Sequence, residues 1–501
     1  MTDLIHPDRH AKLAKLREAG IEPYPARGVF GAPIEELIAS GGTVEEPGPM
    51  IGQRVTACGR MLTLRDFGKL IFAPLQDRTG RIQIGLQKGR MGDWWPLRKN
   101  FENGDLVGVS GELGRTQKGE LTIWVEEITM LSKTLAQPPE KWHGLVDREA
   151  RYRRRYVDLW ASEDVRDVFI KRSQILSFIR RLLEARGFLE VETPTLHPVM
   201  GGAAALPFVT HHNALDMDLF LRIAPELYLK RLIVGGLERV FEFSRNFRNE
   251  GLSTRHNPEF TMLELYQAQA DFTHMMELTE AIVEGAALAV NGTTELEFRG
   301  QTLDVKAPFE KRRYDELFRE ANGFEIDDED KVRAKAAELG IEVPAERGYW
   351  KLAAAVWEET VEERLSGPIF VTHYPVAISP LAKADPEDPR YAERFEIFIA
   401  GMELANAFSE LNDPEVQAQR FDEQVAGKDP EDPGEVDVDY VQALEYGMPP
   451  AGGLGIGIDR LVMVLLGQDS IRDVLLFPTL RRKDGPQTEA DAAEPEPPAA
   501  E

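Results

Sequence analysis

Cysteine is almost absent from this chain. Cys58 stands alone in 501 residues, so no internal disulfide can form, and the chain suits a reducing cytoplasm. A small buried core thiol is the ordinary role for such a residue. Long apolar runs are missing too: LVMVLLG from Leu461 falls well short of the ~20 residues that a membrane span needs. The opening MTDLIHPDRHAKLAKLREAG has no continuous apolar stretch and does not read as a targeting segment. Basic residues are in deficit, 59 Lys and Arg against 85 Asp and Glu, for a formal net charge of −26. That balance argues against non-specific nucleic-acid binding, so any nucleic-acid contact must use a locally basic surface. The glycine string GGLGIGIDR lacks the GxGxxG spacing, so a dinucleotide fold is not indicated, and no internal repeat is evident.

What is present is organised in blocks. A chain of 501 residues is too long for one hydrophobic core, which predicts two or three domains. Residues 1–50 carry a short helical pattern and then the turn-rich GGTVEEPGP, an N-terminal helical extension. Residues 51–135 change to short strands separated by glycine: RVTACGRMLTL, KLIFAPLQD, RIQIGLQ, DLVGVSGELGRT and ELTIWVEEITML. Five such strands fit a small closed barrel of the OB type, or equally half of a sandwich. Residues 136–160 begin with the paired prolines of AQPPEKW and read as a linker; they include the strongly basic REARYRRRYVDLW. Residues 161–484 open with DVFIKRSQILSFIRRLLEARGF, a long amphipathic helix ending at Gly187, and continue as mixed helices and strands without a βαβ rhythm. Residues 485–501 are acidic, rich in Pro and Ala, and read as a disordered tail.

The densest chemistry lies between Arg248 and Tyr266, in RNEGLSTRHNPEFTMLELY. Two arginines, a histidine, three carboxylates and two aromatic rings fall within nineteen residues. Read as a strand, RVFEFSRNFRNEG places Glu242, Ser244, Asn246, Arg248 and Glu250 on one polar face, with Phe241, Phe243 and Phe247 on the other. EFTMLELYQ, read as a returning strand, puts Phe260, Met262, Glu264 and Tyr266 together, beneath a loop carrying Arg255, His256 and Asn257. Arginines offer paired donors to phosphate and a ring can stack on a base, so this face suits a nucleotide and a cationic small molecule. On the pattern alone a solvated strand face of paired charges has the stronger claim.

The longer motifs decide otherwise. FRNEGLSTRHNPEFTMLELY resembles the second signature motif of the class II aminoacyl-tRNA synthetases, GFLEVETPTLHP (187–198) the first, and GGLGIGIDRLVMVLLG the third. GGAAALPFVTHHNALDMDLFLRIAPELYLKRL and GMELANAFSELNDPEVQAQRF are similar to the bacterial-type lysyl members of that class. The resemblance runs from about residue 7 to residue 482, barrel included. It implies an α+β multidomain fold: a five-stranded OB-type β-barrel that binds the anticodon, then a class II catalytic domain built on an antiparallel sheet flanked by helices. The implied activity joins L-lysine to its tRNA through a lysyl-adenylate, with ATP as substrate, Mg2+ as metal, and a cytoplasmic homodimer without membrane attachment as the working form.

The same resemblance assigns roles. Arg248 would hold the ATP α-phosphate, and Arg460 would contact the nucleotide opposite the ring of Phe260. Glu250 and Asn257 would touch the adenylate, while Arg255 and His256 would steady the terminal phosphates. Gly202, Glu226, Glu264, Tyr266, Asn406, Phe408 and Glu410 match the lysine pocket, where an ammonium needs carboxylate and hydroxyl acceptors and its stem an apolar wall. Glu396 and Glu403 match the magnesium ligands. A two-residue turn at Ala400-Gly401 sets Phe398 opposite Glu403 and Glu396 opposite Ala405, which puts both carboxylates on one face. The same alternation puts Asn406, Phe408 and Glu410 on the other face, so either a bulge intervenes or the turn lies elsewhere. In the barrel, Arg65, Phe72, Gln83 and, more weakly, Glu127 match anticodon-facing positions; Phe72 alone would read as core. Leu206, Met402 and the alanines flanking Asn406 depart from the bacterial pattern without removing a ligand. Two other readings stay in view: a lysine-type ligase that modifies a protein, whose relatives lack the barrel, and a single-stranded nucleic-acid binder with an inactive catalytic half.

Overall fold

The computed structural model describes residues 5–41, 48–138, 145, 147–202, 205–344, 348–427 and 435–481. The chain divides into two compact units, Met1–Asp147 and Arg148–Glu501. The acidic residues 485–501 lie outside the described residues.

In the first unit two helices, α1 (Pro7–Glu18) and α2 (Ile34–Ser40), accompany five main strands. These are β1 (Gly48–Met61), β2 (Leu70–Gln76), β3 (Arg81–Gln87), β4 (Leu106–Arg115) and β5 (Leu121–Ser132). Their order is β1-β4-β5-β3-β2, and the pairing of β1 with β2 closes the ring into a barrel rather than half of a sandwich. Only β3 and β5 run parallel. Alternation does the sorting: Ile71, Ala73 and Leu75 of β2 point into the core with Ile82, Ile84 and Leu86 of β3, while Phe72 sits half-buried on the other side of its strand. Full burial of such aliphatic side chains stabilises by about 1.5–3 kcal/mol each. The register shifts at Ser110/Gly111, where any side chain on Gly111 would collide with the Trp124 carbonyl. Cys58 is half-buried outside this core, its thiol donating to the Val29 carbonyl at 2.9 Å.

The second unit opens with two short helices, Arg148–Arg153 and Arg155–Ala161, so the later half of the 136–160 span is helical and packs within this unit. Its basic residues are largely used internally: Arg155 is fully buried, bonded to Asp158 at 2.9 Å and to the carbonyls of Arg472, Leu475 and Leu476. The long helix follows as α3 (Glu163–Ala185), with Gly187 left-handed just beyond its end at φ 80°.

Eight strands form the main sheet: β6 (Leu189–Glu190), β7 (Arg239–Phe247), β8 (Glu259–Ala268), β9 (Glu310–Arg313), β10 (Ile369–Thr372), β11 (Arg394–Phe398), β12 (Glu403–Ser409) and β13 (Ala451–Gly457). Their order is β9-β10-β11-β12-β13-β8-β7-β6, antiparallel except for the outermost pair at each end. One face packs on α3, α5 (Phe272–Asn291) and α7 (Ile458–Leu465), through Ile179, Leu263, Ile282, Leu454 and Val462 among others. Against the other face lie α4 (Glu226–Val234) and α6 (Val438–Glu445). A helical insertion, Tyr314–Asn322, Glu329–Leu339 and Tyr349–Val361, builds its own core around Trp357.

Candidate active site

The two strands of the second motif pair as their parity requires. Glu242 faces Glu264, Ser244 faces Met262 and Asn246 faces Phe260 across β7 and β8. The ladder continues past the strand end, where the Arg248 amide donates to the Pro258 carbonyl at 2.9 Å. Arg248, Phe260, Glu264 and Tyr266 therefore share one face, with the Arg255–Asn257 loop above it. That face lines a cavity of about 330 Å3 that also takes in Gly202, Glu226, Glu250, Glu403, Asn406, Phe408 and Arg460.

At the arginine-lined end, the Arg248 guanidinium stacks 5.1 Å from the Phe260 ring centre, and its Nε has no hydrogen-bond partner among the described residues. Burial lowers its pKa, a cost that a bound anion would relieve. Arg460 stands near the start of α7 and reaches back across the cavity, donating from Nη1 to the Glu403 carbonyl at 2.7 Å. Its Nη2 lies 3.1 Å from His256 Nε2. Burial and the neighbouring Arg460 hold His256 below its usual range, so the neutral ring accepts here and its Nδ1 faces Ser253 Oγ at 3.0 Å. Arg255 donates to the Gly401 carbonyl at 3.2 Å. Asn257 spends its amide on the loop itself, donating to the Glu259 carbonyl at 2.6 Å and accepting from the Thr479 amide at 3.3 Å. Glu250 is exposed at the rim. Below, Asp459 ties the motifs together, accepting from the Thr261 amide at 2.8 Å and pairing with Arg172 of α3 at 2.7 Å.

The opposite end is acidic and closed. Glu226 begins α4, Glu264 comes from β8, and Glu410 follows β12; all three are buried. Tyr266 donates its hydroxyl to Glu264 at 3.3 Å. Burial, reinforced by Glu226, pushes the Glu264 carboxyl up to about 8. Glu410 is likewise raised to about 8 by burial, against the pull of Lys230. Gly453 of β13 is required here, because a Cβ would fall onto Glu410 and the Tyr266 ring.

The turn at Ala400-Gly401 is where the sequence puts it, with both residues left-handed at φ 50° and 64° as a two-residue hairpin demands. Phe398 does face Glu403, but Ile397 then faces Ala405 and Glu396 faces Asn406, not Ala405. A bulge at Leu404 has taken up one residue. Leu404 and Ala405 are buried in succession, and Glu403 thereby comes to share a face with Asn406 and Phe408 instead of opposing them. The expected separation of carboxylates and pocket residues onto two faces is corrected by that single residue.

Glu396 accepts from the Tyr374 hydroxyl at 2.8 Å and from Arg394 at 2.6 Å. Burial pushes its carboxyl up to about 7 against the Arg394 charge, and the Glu403 charge adds to the push. A hard cation with oxygen preference would relieve that repulsion, so the donor chemistry fits Mg2+, which takes few protein carboxylates and leaves the other positions to phosphate and water. Among the described residues no group of three or more His, Cys, Asp or Glu is arranged to hold a metal by itself. Arg394, two residues before Glu396, also donates to Asn406 Oδ1 at 3.0 Å and so fixes both. Neither Arg394 nor Lys230 was picked out from the sequence, although i,i+2 on a strand and i,i+4 on a helix are local signals for their pairing with Glu396 and Glu226.

In the barrel, Arg65 pairs across from Phe72, which meets Phe67 and Trp124 edge-on at 6.3 and 6.0 Å between ring centres. Three aromatic rings thus form one outward surface; Phe67 is 68% exposed. Gln83 is buried, and its amide nitrogen donates to Thr122 Oγ1 at 2.9 Å. Glu127 is exposed and pairs with Arg54 at 3.0 Å.

Residues 147–481 match the family described as tRNA synthetases class II (D, K and N), and residues 55–131 match the OB-fold nucleic acid binding domain. The chain is 50% identical over 482 residues to the Lysine–tRNA ligase of Carboxydothermus hydrogenoformans, spanning 95% of this chain and 98% of that relative. It is 51% identical over 483 residues to that of Moorella thermoacetica, spanning 95% and 97%. With that of Bordetella bronchiseptica it shares 50% over 489 residues, spanning 95% and 96%.

Proposed function

This chain belongs to the class II tRNA synthetases, and from that premise we propose that it is a lysine–tRNA ligase working through the residues described above. The observation that carries the reading is one cavity with an arginine-lined end for a nucleotide and a buried end lined by Glu226 and Glu264, with the buried Glu410 behind Gly453 of the wall. An aspartate or asparagine enzyme of the same fold would need basic or amide groups where Glu264 and Glu410 stand.

ATP is the activating substrate. Arg248 and Arg460 hold the α-phosphate and the nucleotide, with the base against Phe260; Arg255 and His256 steady the terminal phosphates, and Glu250 and Asn257 border the adenylate. Lysine lies with its ammonium groups toward Glu226, Glu264, Tyr266 and Glu410, its stem along Phe408, near Gly202 and Asn406. A lysine carboxylate oxygen attacks the α-phosphorus, the bond between the α- and β-phosphates breaks, and pyrophosphate leaves. Catalysis here is positioning and charge stabilisation without a covalent enzyme intermediate. Glu396 and Glu403 would hold Mg2+, which supplies neutralising charge to the phosphates. In the second step a hydroxyl at the tRNA 3′ end takes the lysyl group and AMP leaves.

We assign residues 51–135 to anticodon reading, through Arg65, Phe72, Gln83 and Glu127, and residues 161–484 to catalysis. Strand-borne rings suit unstacked bases. A cytoplasmic homodimer is proposed as the working form. Exposed Leu189, Leu196, Val209 and Leu215, in and after the first motif, supply apolar area for a two-fold contact. Among the described residues no helix is long and apolar enough to cross a membrane.

The deciding experiment is ATP–pyrophosphate exchange with each of the twenty amino acids, with Mg2+ and without tRNA. Lysine alone should support it; no exchange with lysine, or equal exchange with aspartate, overturns the assignment. Light scattering that finds a stable species of 56.3 kDa at working concentration would overturn the dimer.

A further inference from the structure

A lysine of the protein itself is buried against residues proposed to hold the substrate lysine. Lys230 stands one turn after Glu226 on α4, and its Nζ reaches Glu226 Oε1 at 2.6 Å. The same Nζ forms an ion pair with Glu410, which arrives from the far end of β12. The side chain has no solvent exposure, and its ammonium lies 5.1 Å from the Phe408 ring centre and 5.9 Å from that of Tyr266. From α6 the buried hydroxyl of Tyr440 adjoins the group, without a hydrogen-bond partner among the described residues. Four of the residues assigned to the substrate are thus already in contact with a resident ammonium.

Charge gives this arrangement a purpose beyond packing. Glu226, Glu264 and Glu410 carry three negative charges when ionised, and Lys230 leaves a net of two. Free lysine brings two ammonium groups, while its carboxylate, the group that attacks the α-phosphorus, faces the arginine-lined end of the cavity. With all three carboxylates ionised the cluster therefore balances when both ammonium groups are bound; without substrate, Glu264 and Glu410, both raised to about 8, keep their protons at neutral pH and Glu226 balances Lys230. Without Lys230 one carboxylate would stay uncompensated, a state that burial penalises heavily.

We propose that Lys230 is the positioning residue that sets the charge of the amino-acid pocket to match the two ammonium groups of its substrate. It acts through Glu226 and Glu410 and touches no reacting atom. The inference rests on the assignment of Glu226, Glu264 and Glu410 as the lysine pocket. With Lys230 present, Glu410 sits near 8 in the empty pocket and gives up its proton as substrate binds. Loss of Lys230 lets burial and Glu226 push that carboxyl further up, so lysine must displace a more firmly held proton. The groups that face the pair are Glu226 from α4, Glu264 and Tyr266 from β8, and Tyr440 from α6.

Lys230→Met removes the charge and keeps the apolar stem. In pyrophosphate exchange at neutral pH it should raise the lysine KM by about tenfold or more and leave the ATP KM within about twofold. The pH above which the lysine KM levels off should also move upward. E226Q/K230M removes Lys230 together with one of its two carboxylate partners and leaves Glu410, already raised to about 8 and now without the Glu226 charge beside it, to stay protonated, so it is expected to fold even where K230M does not. Its lysine KM should be no higher than that of E226Q alone, a coupling that lost packing does not produce. A K230M lysine KM within about twofold of the parent, or lysine and ATP KM values that rise together, overturns the inference. So does a double variant whose penalty equals or exceeds that of the two single changes combined. If E226Q itself leaves the lysine KM unchanged, the pocket assignment fails instead.

Discussion

The barrel and the catalytic sheet solve the same problem, holding polar chemistry on a β-surface, in opposite ways. In the barrel the core is aliphatic on the inside of the strands, and the aromatic surface of Phe67, Phe72 and Trp124 lies outside it. In the catalytic unit the working face is itself interior. Glu242, Glu264, Lys230 and Glu410 are all buried, and Glu242 is held by Arg222 at 2.7 Å and by Thr193 at 2.7 Å. A side chain on the barrel's outer surface can therefore be changed at little cost to the fold. A catalytic residue cannot change charge without disturbing its neighbours, because low dielectric lengthens the reach of each charge.

The sharpest way to break that contrast is Glu264→Gln. Leaving a substrate ammonium without its carboxylate costs about 3–5 kcal/mol, a hundredfold or more in the lysine KM, with little change in the ATP KM. Because Glu264 is raised to about 8, the empty pocket holds it neutral at pH 7, and glutamine imitates that form. The substrate-free variant should melt no earlier than the parent. Equal rises in both KM values would remove Glu264 from the ammonium site.

Arg248→Ala should lower exchange kcat by roughly 10²- to 10³-fold, the usual loss for one preorganised donor to developing charge. An effect on KM alone would show that Arg248 only binds ground-state nucleotide.

Phe72→Ala tests the other half. Loss of one base–aromatic stack, ~1–3 kcal/mol, implies a fall of roughly 5- to 150-fold in charging kcat/KM with tRNA-independent exchange nearly unchanged. Since Phe72 lies outside the barrel core, the melting profile should hold. The penalty should shrink on a tRNA with an altered anticodon; simple addition of the two penalties would show that Phe72 does not read it.

A further effect is in pH. Glu264 rises from an ordinary 4.5 to about 8 in the empty pocket, so the folded protein holds an extra proton across that window and its substrate-free stability declines as pH rises through it. Lysine binds the ionised form. Its affinity should climb with pH by up to about tenfold per unit for each such carboxylate, then level above about 8, as calorimetry can follow. A flat profile from pH 6 to 8 would mean that Glu264 is already ionised without substrate.

Much of this was legible in the chain itself. The parity of β7 and β8 placed Arg248, Phe260, Glu264 and Tyr266 on one face, and the two-residue turn fell at Ala400-Gly401, because these follow from the two-residue period of a strand and from local turn geometry. What the local pattern could not supply was decided by contacts between distant segments. The bulge at Leu404 exists because Leu404 and Ala405 are both drawn into the hydrophobic core, and no alternation rule records that pull. Phe72 faces outward because barrel closure makes Ile71, Ala73 and Leu75 the inner row, a choice open until β1 meets β2. The i,i+4 spacing of Glu226 and Lys230 is written in the sequence, but Glu410 completes that ion pair from 180 residues away, and only the fold brings its carboxylate to the buried ammonium.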